Sequence, residues 1–472
     1  MKKIMPVLLM TTAMLPGCTL MPDYMRPDMP VAQQWPLHEG QEDASKKIAD
    51  IGWKDFFTSP PLQKAVQTAL DNNRDLRVAA LNVEAAQALY RVERSDLLPG
   101  VSAGGGGSRQ KVTEAQSTSN PLFSTNREYI TSTYTANVGV TAFELDLFGR
   151  IRSLSEAALQ EYFATQAAQD AARITLIAET ANAYLQWQAD RKILKLTEET
   201  LAAQEKSYEL IARSHESGVA SKLDLAQVRT AVETARANKA IFTRRVEQDK
   251  NALVLLMGKD DPEILSADTS LDEVKVMESL PVGLPSDVLL SRPDVMQAES
   301  RLKSANANIG AARAAFFPTI SLTGAFGFAS GDLSNLFSSG AAGAWSFAPQ
   351  ITLPIFEGGR NVANLDVSAV RKNIAVAQYE KSIQTAFREV ADELAARRTL
   401  TEQLNAQREL VKASQEAYDL SNARYKQGID SFLSVLDAQR TLYGSRQSTI
   451  DVEKQQIANL VNLYKALGGG IK

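Results

Sequence analysis

The sequence predicts a mainly α-helical protein with a β-barrel portion, built from one structural module that occurs twice. Three observations lead to this fold class: an internal repeat, long helical segments without proline or glycine, and paired segments in which apolar and small polar residues alternate. With 472 residues, of which 44% are hydrophobic, the chain is long enough for a large core or several layers.

The second half of the chain repeats the first at a constant spacing. Gly149-Arg150 recurs as Gly359-Arg360, and Gly218 recurs as Gly428, each 210 positions later. Nearer the start of each repeat the spacing is 219. A repeat of about 200 residues far exceeds the roughly 20–50 residues of solenoid units. The pattern therefore indicates a duplicated module with quasi-symmetric architecture, rather than one asymmetric active site.

The N-terminus has the organisation of a bacterial export signal. Two lysines precede an apolar run over residues 4–15, which is too short for a spanning helix of roughly 20 residues. Residues 15–18 (Leu-Pro-Gly-Cys) resemble a lipoprotein box, and Cys18 is the only cysteine of the chain. We therefore expect residues 1–17 to be a signal peptide and the Cys18 thiol to carry a covalent lipid such as palmitate. The alternative is an ordinary signal peptide with an incidental cysteine.

Shifts in composition divide the rest of the chain. The segment after the signal contains Pro, Met and Trp without periodicity, which is typical of an extended tether, and the acidic, Pro-containing segment between the repeats is typical of a linker. The predicted boundaries are 18–60 for the lipid-anchored tether, 61–258 for repeat 1, 259–284 for the linker, 285–468 for repeat 2 and 469–472 for a C-terminal tail.

Each repeat opens with a helical segment. The first runs from about Pro61 to Leu97, with a break near residues 72–74 (Asn-Asn-Arg). The second runs from about Ser286 to Phe317 and restarts at residues 291–294 (Ser-Arg-Pro-Asp), where the proline suits a first helical turn.

A pair of strands follows in each repeat, over about 99–148 and about 318–355. Apolar residues such as Phe326 and Phe328 alternate with Thr, Ser, Asn and Gly, which is typical of a lipid-facing barrel wall. The first strand is less clear because Gly104–Gly107 leave its two faces alike. A soluble β-sandwich is the alternative. No later segment has the apolar length of a spanning helix, so entry into a membrane would require a closed β-barrel.

Two very long helices come next, each followed by a return helix. Ile151–His215 and Asn361–Gln427 contain neither proline nor glycine and are rich in good helix formers. The predicted helix pairs cover 151–257 and 361–467. A soluble coiled coil would explain these helices but not the strand pairs.

Glycines mark the turns within both helix pairs. We expect Gly218 and Gly428 to end the long helices, and Ser221 and Ser431 to act as N-caps of the return helices.

Counting strands predicts an assembly. Four strands per chain cannot close a membrane barrel, which needs about eight. Two chains would supply eight strands but leave no aqueous lumen, whereas three would supply twelve. A conducting barrel therefore favours a trimer with a shared 12-stranded barrel, continued by twelve long helices.

Composition argues against catalysis and nucleic-acid binding. The net charge is −4 and there is no basic cluster. The two histidines, His38 and His215, and the single cysteine offer no zinc or catalytic-triad spacing. Gly104–Gly107 lack the Lys-Ser/Thr of a phosphate loop. We expect no enzyme activity, no metal, and no cofactor apart from the lipid on Cys18.

Several motifs together resemble one family, the outer-membrane factors of Gram-negative tripartite efflux pumps, in the OprM-like lipoprotein branch of the TolC superfamily. The similarity covers residues 14–470. The motifs that carry it are the lipid box ending at Cys18, Pro22–Tyr24 with Arg26-Pro27, Phe143–Arg150, Gly218–Ser221, Ser291–Val295, Phe317-Pro318, Pro354–Arg360, Ala423–Tyr425 with Gly428 and Leu433, Leu436–Arg440, and Asn462–Gly470.

The resemblance implies a homotrimeric channel that passively conducts drugs and other small molecules to the exterior and so contributes to multidrug and antibiotic resistance. It implies an outer-membrane β-barrel of twelve strands, a long periplasmic α-helical barrel, a periplasmic adaptor (membrane fusion) protein and an inner-membrane resistance-nodulation-division pump. Because Thr19 stands where Asp would retain a lipoprotein at the inner membrane, we expect lipid anchoring at the outer membrane, with most of the chain in the periplasm.

The resemblance also implies roles for particular residues. It places an iris-like periplasmic gate at Leu433 and Asp437, which lie one helical turn apart, with Arg440 able to neutralise Asp437. It places adaptor docking at the two turns. The docking residues are Arg213, Gly218, Val219, Ser221 and Leu223 in the first, and Arg424, Gly428 and Ser431 in the second.

Two alternatives remain open at this point. One is an outer-membrane conduit for type I protein secretion with the same fold. The other is a periplasmic coiled-coil lipoprotein without a pore, against which the alternating strand pairs argue.

Overall fold

The computed structural model describes residues 19–36, 48–113, 128–266, 269–282, 285–338 and 342–471. The chain forms two compact units. Unit 1 comprises residues up to 26 together with 84–163 and 300–377, and unit 2 comprises 27–83, 164–299 and 378–472. Each unit draws on both sequence repeats, so the repeats are not two separate domains.

Helices dominate the described residues, and none of those helices is long and apolar enough to cross a bilayer. They are α1 Trp53–Phe56, α2 Pro60–Asn72, α3 Arg74–Ser95, α4 Arg150–Glu216, α5 Lys222–Met257, α6 Pro262–Leu265, α7 Pro285–Ser291, α8 Pro293–Ala314, α9 Arg360–Lys426 and α10 Phe432–Ala466, with 3₁₀ turns at Ile48–Asp50, Leu271–Glu273 and Leu333–Asn335.

The expected long helices are confirmed, and the two copies match. Helices α4 and α9 contain 67 residues each, which at 1.5 Å per residue gives rods of about 100 Å. With its return helix α5, α4 forms hairpin 1, and with its return helix α10, α9 forms hairpin 2. The absence of internal proline and glycine from α4 and α9 explains why neither helix breaks.

Unit 1 contains a four-stranded antiparallel sheet. Its strands are β1 Val101–Val112, β2 Tyr129–Leu145, β3 Thr319–Ser330 and β4 Ala342–Thr352, hydrogen-bonded in that order. Within the described residues, β1 and β4 each have a partner on one side only. Their other edges carry backbone N–H and C=O groups that another strand could pair with.

The sheet register gathers apolar side chains on one face. Phe326 of β3 lies opposite Trp345 of β4 and Val138 of β2, and Ile320 lies opposite Ile351. Directly opposed residues of an antiparallel pair share a face, so the alternation seen in the sequence forms one continuous apolar surface across three strands. Phe326 and Trp345 are exposed in the single chain.

A β-bulge in β2 preserves this apolar face. The register shifts between Val140 and Phe143, and Ala142 has a φ of 53°, which is unusual for a residue with a Cβ. Before the bulge the apolar residues of β2 are even-numbered, and after it they are odd-numbered, with Phe143 opposite Leu322. The extra residue therefore keeps the apolar side chains on one side of the sheet.

The segment that follows the lipid box lies along α8. Residues 19–30 form no helix or strand, yet Asn306 Nδ2 donates a hydrogen bond to the Pro22 carbonyl oxygen at 2.7 Å. A Cβ on Gly310 would lie 2.9 Å from Met21 Cα, so only glycine permits this approach. The start of the expected tether is therefore packed within unit 1.

The end of the expected tether belongs to the core of unit 2. The ring of Phe56 stacks on that of Tyr464 with centroids 4.1 Å apart, and both side chains are buried. Phe57 forms an isolated β-bridge with Val276 of the linker. The boundary predicted at residue 60 is thus too late, because short, aromatic-rich segments without periodicity can still be buried.

The predicted break in the first helical segment docks on hairpin 1. Asn73 separates α2 from α3, and its side-chain Oδ1 accepts from Leu76 N at 2.9 Å, as an N-cap does. Its Nδ2 donates to the Leu256 carbonyl oxygen at 2.9 Å, near the end of α5. Gly258 lets the Asn72 backbone approach, since a Cβ there would clash with the Asn72 carbonyl oxygen.

Repeat 2 builds the same junction with a charged residue. Arg292, which takes the place of Asn73, is buried and donates from Nη1 to the Ala466 carbonyl oxygen at 2.7 Å. Its other nitrogens bind Asp294 and Glu389, the latter at 2.7 Å. The motif Ser-Arg-Pro-Asp therefore joins the start of α8 to the end of α10.

Candidate functional site: the paired helix tips

Both hairpins turn through the same backbone motif. We call residues 213–224 tip 1 and residues 423–434 tip 2. In tip 1, Gly218 N donates to His215 O at 2.9 Å and Val219 N donates to Ser214 O at 2.8 Å. This is the Schellman motif, with glycine in the left-handed region at a φ of 75°.

Tip 2 repeats this geometry closely. Gly428 N donates to Tyr425 O at 2.9 Å, Ile429 N donates to Arg424 O at 3.0 Å, and Gly428 has a φ of 73°. In neither tip would a Cβ on the glycine meet another atom of the chain within 4 Å. Glycine is therefore required by the backbone conformation and not by crowding within the chain.

The two return helices start differently. Ser221 forms a capping box with Asp224: Asp224 N donates to Ser221 Oγ at 3.0 Å, and Ser221 N donates to the Asp224 carboxylate at 3.1 Å. Ser431 occupies the N-cap position of α10 but makes no side-chain cap hydrogen bond. The third helical residue there is Ser434, which has no carboxylate to return the bond.

Tip 2 holds its turn with an ion pair instead. Arg424 binds Asp430 through two parallel hydrogen bonds, Nε to Oδ2 at 2.5 Å and Nη2 to Oδ1 at 3.0 Å. The hydrogen bond from Arg424 lowers the pKa of the Asp430 carboxyl below its ordinary value. In tip 1 the corresponding loop is closed by His215, whose Nδ1 lies 2.9 Å from the Ala220 carbonyl oxygen.

An apolar cluster joins the tips to each other. Ile211 and Val228 of hairpin 1 pack with Phe432 and Val435 of hairpin 2, and all four are buried. This tip cluster has a rim of partly buried residues, among them Tyr425, whose ring centroid lies 5.1 Å from that of Phe432. Burial of these side chains holds the two turns side by side.

The three predicted gate residues lie on the other face of α10. Phe432 and Val435 point into the tip cluster, whereas Leu433 is 54% exposed, and Asp437 and Arg440 are exposed as well. Arg440 Nη2 donates to Asp437 Oδ1 at 2.6 Å, which is the pairing that the three-residue spacing allows. The structure therefore brings the three residues together on a surface that the chain's own core does not cover.

The predicted docking residues also lie at the surface of the tips. Val219 is 83% exposed and Leu223 is 65% exposed, and Arg213 is exposed in the last turn of α4. On tip 2, Ile429 is 58% exposed at the position equivalent to Val219. Each tip thus presents an apolar side chain directly after its glycine.

Several residues important at the tips had no part in the sequence predictions. Phe432 and Val435 could have been found from their three-residue apolar spacing at the start of α10. Asp430 could not, because its partner Arg424 lies across a turn, where helical periodicity does not apply. Cys18, the predicted lipidation site, lies outside the described residues.

Comparison with known proteins places the chain in one family. The model of the family described as outer membrane efflux protein matches residues 65–259 and 284–469. The probable efflux pump outer membrane protein TtgC of Pseudomonas putida is 52% identical over 473 aligned residues, covering 100% of this chain and 96% of that protein. Outer membrane protein OprJ of Pseudomonas aeruginosa is 44% identical, covering 97% of this chain and 94% of OprJ.

A solved structure agrees in fold. The open state of the MtrE outer membrane channel of Neisseria gonorrhoeae superposes with a TM-score of 0.86 at 41% identity, covering 96% of this chain and 99% of MtrE. The family match spans both repeats, and the relatives align over nearly their whole length. The chain therefore belongs to the outer membrane efflux protein family, which functions in the outer membrane as a channel component and not as an enzyme.

Proposed function

We propose that this chain forms, as a homotrimer, the exit duct of a tripartite efflux pump, with a gate at tip 2 and a docking surface for a periplasmic adaptor on both tips. The observation that carries the proposal is that the first turns of α10 have one buried face and one exposed face. Phe432 and Val435 fix the helix to hairpin 1, while Leu433, Asp437 and Arg440 remain exposed on the opposite face. Drugs and other small molecules would pass through the duct passively.

The open edges of β1 and β4 support assembly. Unpaired strand edges expose backbone N–H and C=O groups and promote aggregation. Three chains that join β1 of one chain to β4 of the next would leave none of these edges unpaired. The apolar face with Phe326 and Trp345 would then meet lipid. A lipid on Cys18 would add a second attachment to the membrane, because a single acyl group anchors weakly.

Three-fold symmetry would convert the exposed residues of α10 into rings. Three Leu433 side chains would exclude water from a narrow passage. Three Asp437 carboxylates would repel one another there, and the ion pair with Arg440 would reduce that repulsion in the closed state. Movement of tip 2 away from the axis would widen both rings together.

The tips have the character expected of a docking surface. Val219, Leu223 and Ile429 are exposed apolar residues beside glycines that leave the backbone accessible. Such side chains gain free energy when a partner covers them. We propose that the partner is an adaptor protein, which in turn connects the duct to an inner-membrane pump of the resistance-nodulation-division type.

The docking surface can be tested with asparagine at the tip glycines. Asparagine tolerates the left-handed backbone of Gly218 and Gly428, so the turn persists while a side chain projects into open space. We expect Gly218→Asn and Gly428→Asn to form normal trimers but to lose co-purification with the adaptor and drug resistance. Gly444→Asn, in the middle of α10 with equal open space, is the matched control. Full resistance in both tip variants would contradict docking at this surface.

A further inference from the structure

Away from the tip cluster, each hairpin has a buried apolar cluster of its own, whereas several polar contacts join α4 to α10. Within hairpin 1, Leu201 packs against Val232 and Ala235 in a buried apolar cluster. Within hairpin 2, Leu400 and Leu404 pack against Val452 in the same way. Apolar packing of this kind resists separation, so each hairpin is a stiff unit.

Hydrogen bonds join the two hairpins along α4 and α10. They are Asn182 Nδ2 to Asn462 Oδ1 at 2.9 Å, Lys454 Nζ to Gln186 Oε1 at 2.8 Å, and Thr197 Oγ1 to Tyr443 OH at 2.8 Å. Water can replace such hydrogen bonds at a small net cost. These hydrogen bonds therefore resist separation of the hairpins less than apolar packing would.

One contact of this series differs because it is an ion pair and includes the linker. Lys192 Nζ of α4 lies 2.9 Å from Glu453 Oε2 of α10 and 2.7 Å from Asp272 Oδ1 of the linker. Glu453 also faces Arg408 of α9, whose Nη2 lies 3.6 Å from Glu453 Oε1. We call these four residues the Lys192 junction. It connects both hairpins and the segment between the repeats.

Residues next to the Lys192 junction fix the position of Asp272. Asp272 N donates to Ser270 Oγ at 3.2 Å, and Leu271 is fully buried, so the linker presents Asp272 in a fixed position. Burial by itself lowers the pKa of Lys192, but hydrogen bonds to Asp272 and Glu453 outweigh it and raise the pKa overall. Lys192 therefore stays charged while only partly accessible to water.

We propose that Lys192 is a positioning residue for the closed duct: by tying α4 to Glu453 and to the linker, it restrains hairpin 2 against hairpin 1. The inference rests on the proposed function, since it assumes that movement of hairpin 2 opens the gate. Among the described residues, loss of Lys192 would leave the mostly buried Glu453 with the longer contact to Arg408. A buried carboxylate without its partner favours separation of the hairpins, because separation admits water.

The test compares single-channel currents of purified trimers in planar bilayers. Lys192→Met should raise the open probability by about tenfold or more, which corresponds to the loss of one charged hydrogen bond. Glu453→Gln, which removes the same ion pair without a change of size, should act in the same direction. Lys192→Arg, which keeps the charge, should behave like the wild type. Lys239→Met is the matched control, because Lys239 pairs with Glu198 within hairpin 1 at 3.0 Å.

The salt dependence of the open probability gives a second readout. Raising KCl from about 0.1 M to about 1 M screens the partly buried junction in part, so the open probability of the wild type should rise by a fraction of its difference from Lys192→Met. The same change should affect Lys192→Met less. Equal open probability in wild type, Lys192→Met and Glu453→Gln would overturn the inference. If Asp437→Ala enlarges the current while these variants do not, the duct and gate stand and only the junction fails.

Discussion

The two tips share a backbone but differ in how side chains stabilise it. Both close with a Schellman turn at glycine, with φ values of 75° and 73°. Tip 1 adds a capping box between Ser221 and Asp224, whereas tip 2 adds the ion pair between Arg424 and Asp430. After duplication, the residue demanded by the backbone dihedral remained in both copies, while the side-chain solutions diverged.

The difference agrees with the proposal that the gate lies at tip 2. In tip 1 the capping box between Ser221 and Asp224 satisfies backbone N–H groups at the start of α5. Tip 1 also contributes Ile211 and Val228 to the tip cluster. Tip 2 places Phe432 in the cluster at a position where tip 1 has the exposed Lys222. The second hairpin is thereby anchored on the first, and its opposite face is left free for Leu433 and Asp437.

The largest stability effect should come from the tip cluster. Phe432→Ala removes a buried aromatic ring and should destabilise the paired tips by about 3–5 kcal/mol, whereas Lys222→Ala at the equivalent position should change stability by less than about 0.5 kcal/mol. Amide hydrogen exchange along residues 205–235 and 415–445 measures the local free energy of opening. Equal protection in the two variants would contradict the anchoring role of Phe432.

The N-caps offer a smaller and more selective test. Ser221→Ala breaks the capping box and should weaken the start of α5 by about 1 kcal/mol. Ser431→Ala should have an effect near zero, because the Ser431 side chain makes no cap hydrogen bond. Exchange of the first-turn amides of α5 and α10 reports each change separately. A larger loss in Ser431→Ala than in Ser221→Ala would show that the caps are assigned to the wrong tips.

The ion pair of tip 2 should give the smallest effect, and one that depends on pH. Arg424 lowers the pKa of Asp430, so the folded tip binds fewer protons than the unfolded one and the stabilisation is fully present above pH ~4. It is lost as pH falls through the lowered pKa. Hydrogen-exchange protection at residues 427–431 should therefore fall in acid for the wild type. In Asp430→Asn the acid-dependent part should be missing, and tip 1 should behave alike in both proteins.

The sequence was informative wherever a feature is local. The lack of proline and glycine located α4 and α9 to within a residue or so at each end, and Gly218 and Gly428 marked both turns. The family resemblance drawn from motifs was confirmed by the family match. These features depend on neighbouring residues along the chain, and therefore they are visible without a structure.

Features that depend on contacts between distant segments could not be predicted. The bulge at Ala142 shifts the apolar residues of β2 from even to odd positions. A search for strict alternation of apolar and polar residues would therefore end the strand at the bulge. Lys192 meets Asp272 and Glu453, which lie 80 and 261 positions away. Ser431 has the residue type and position of an N-cap, but its side chain makes no cap hydrogen bond, and the sequence gives no sign of this difference from Ser221.

Planar-bilayer conductance of the purified trimer, wild type beside Asp437→Ala, tests the central claim most directly. Gln227→Ala, at the equivalent position of hairpin 1, is the control. We expect small, mostly closed events in the wild type and in Gln227→Ala, and clearly larger currents in Asp437→Ala, because the mutation removes the carboxylate ring and its pairing with Arg440. Equally large currents in all three proteins would remove the gate from tip 2, and no current in any of them would contradict the duct itself.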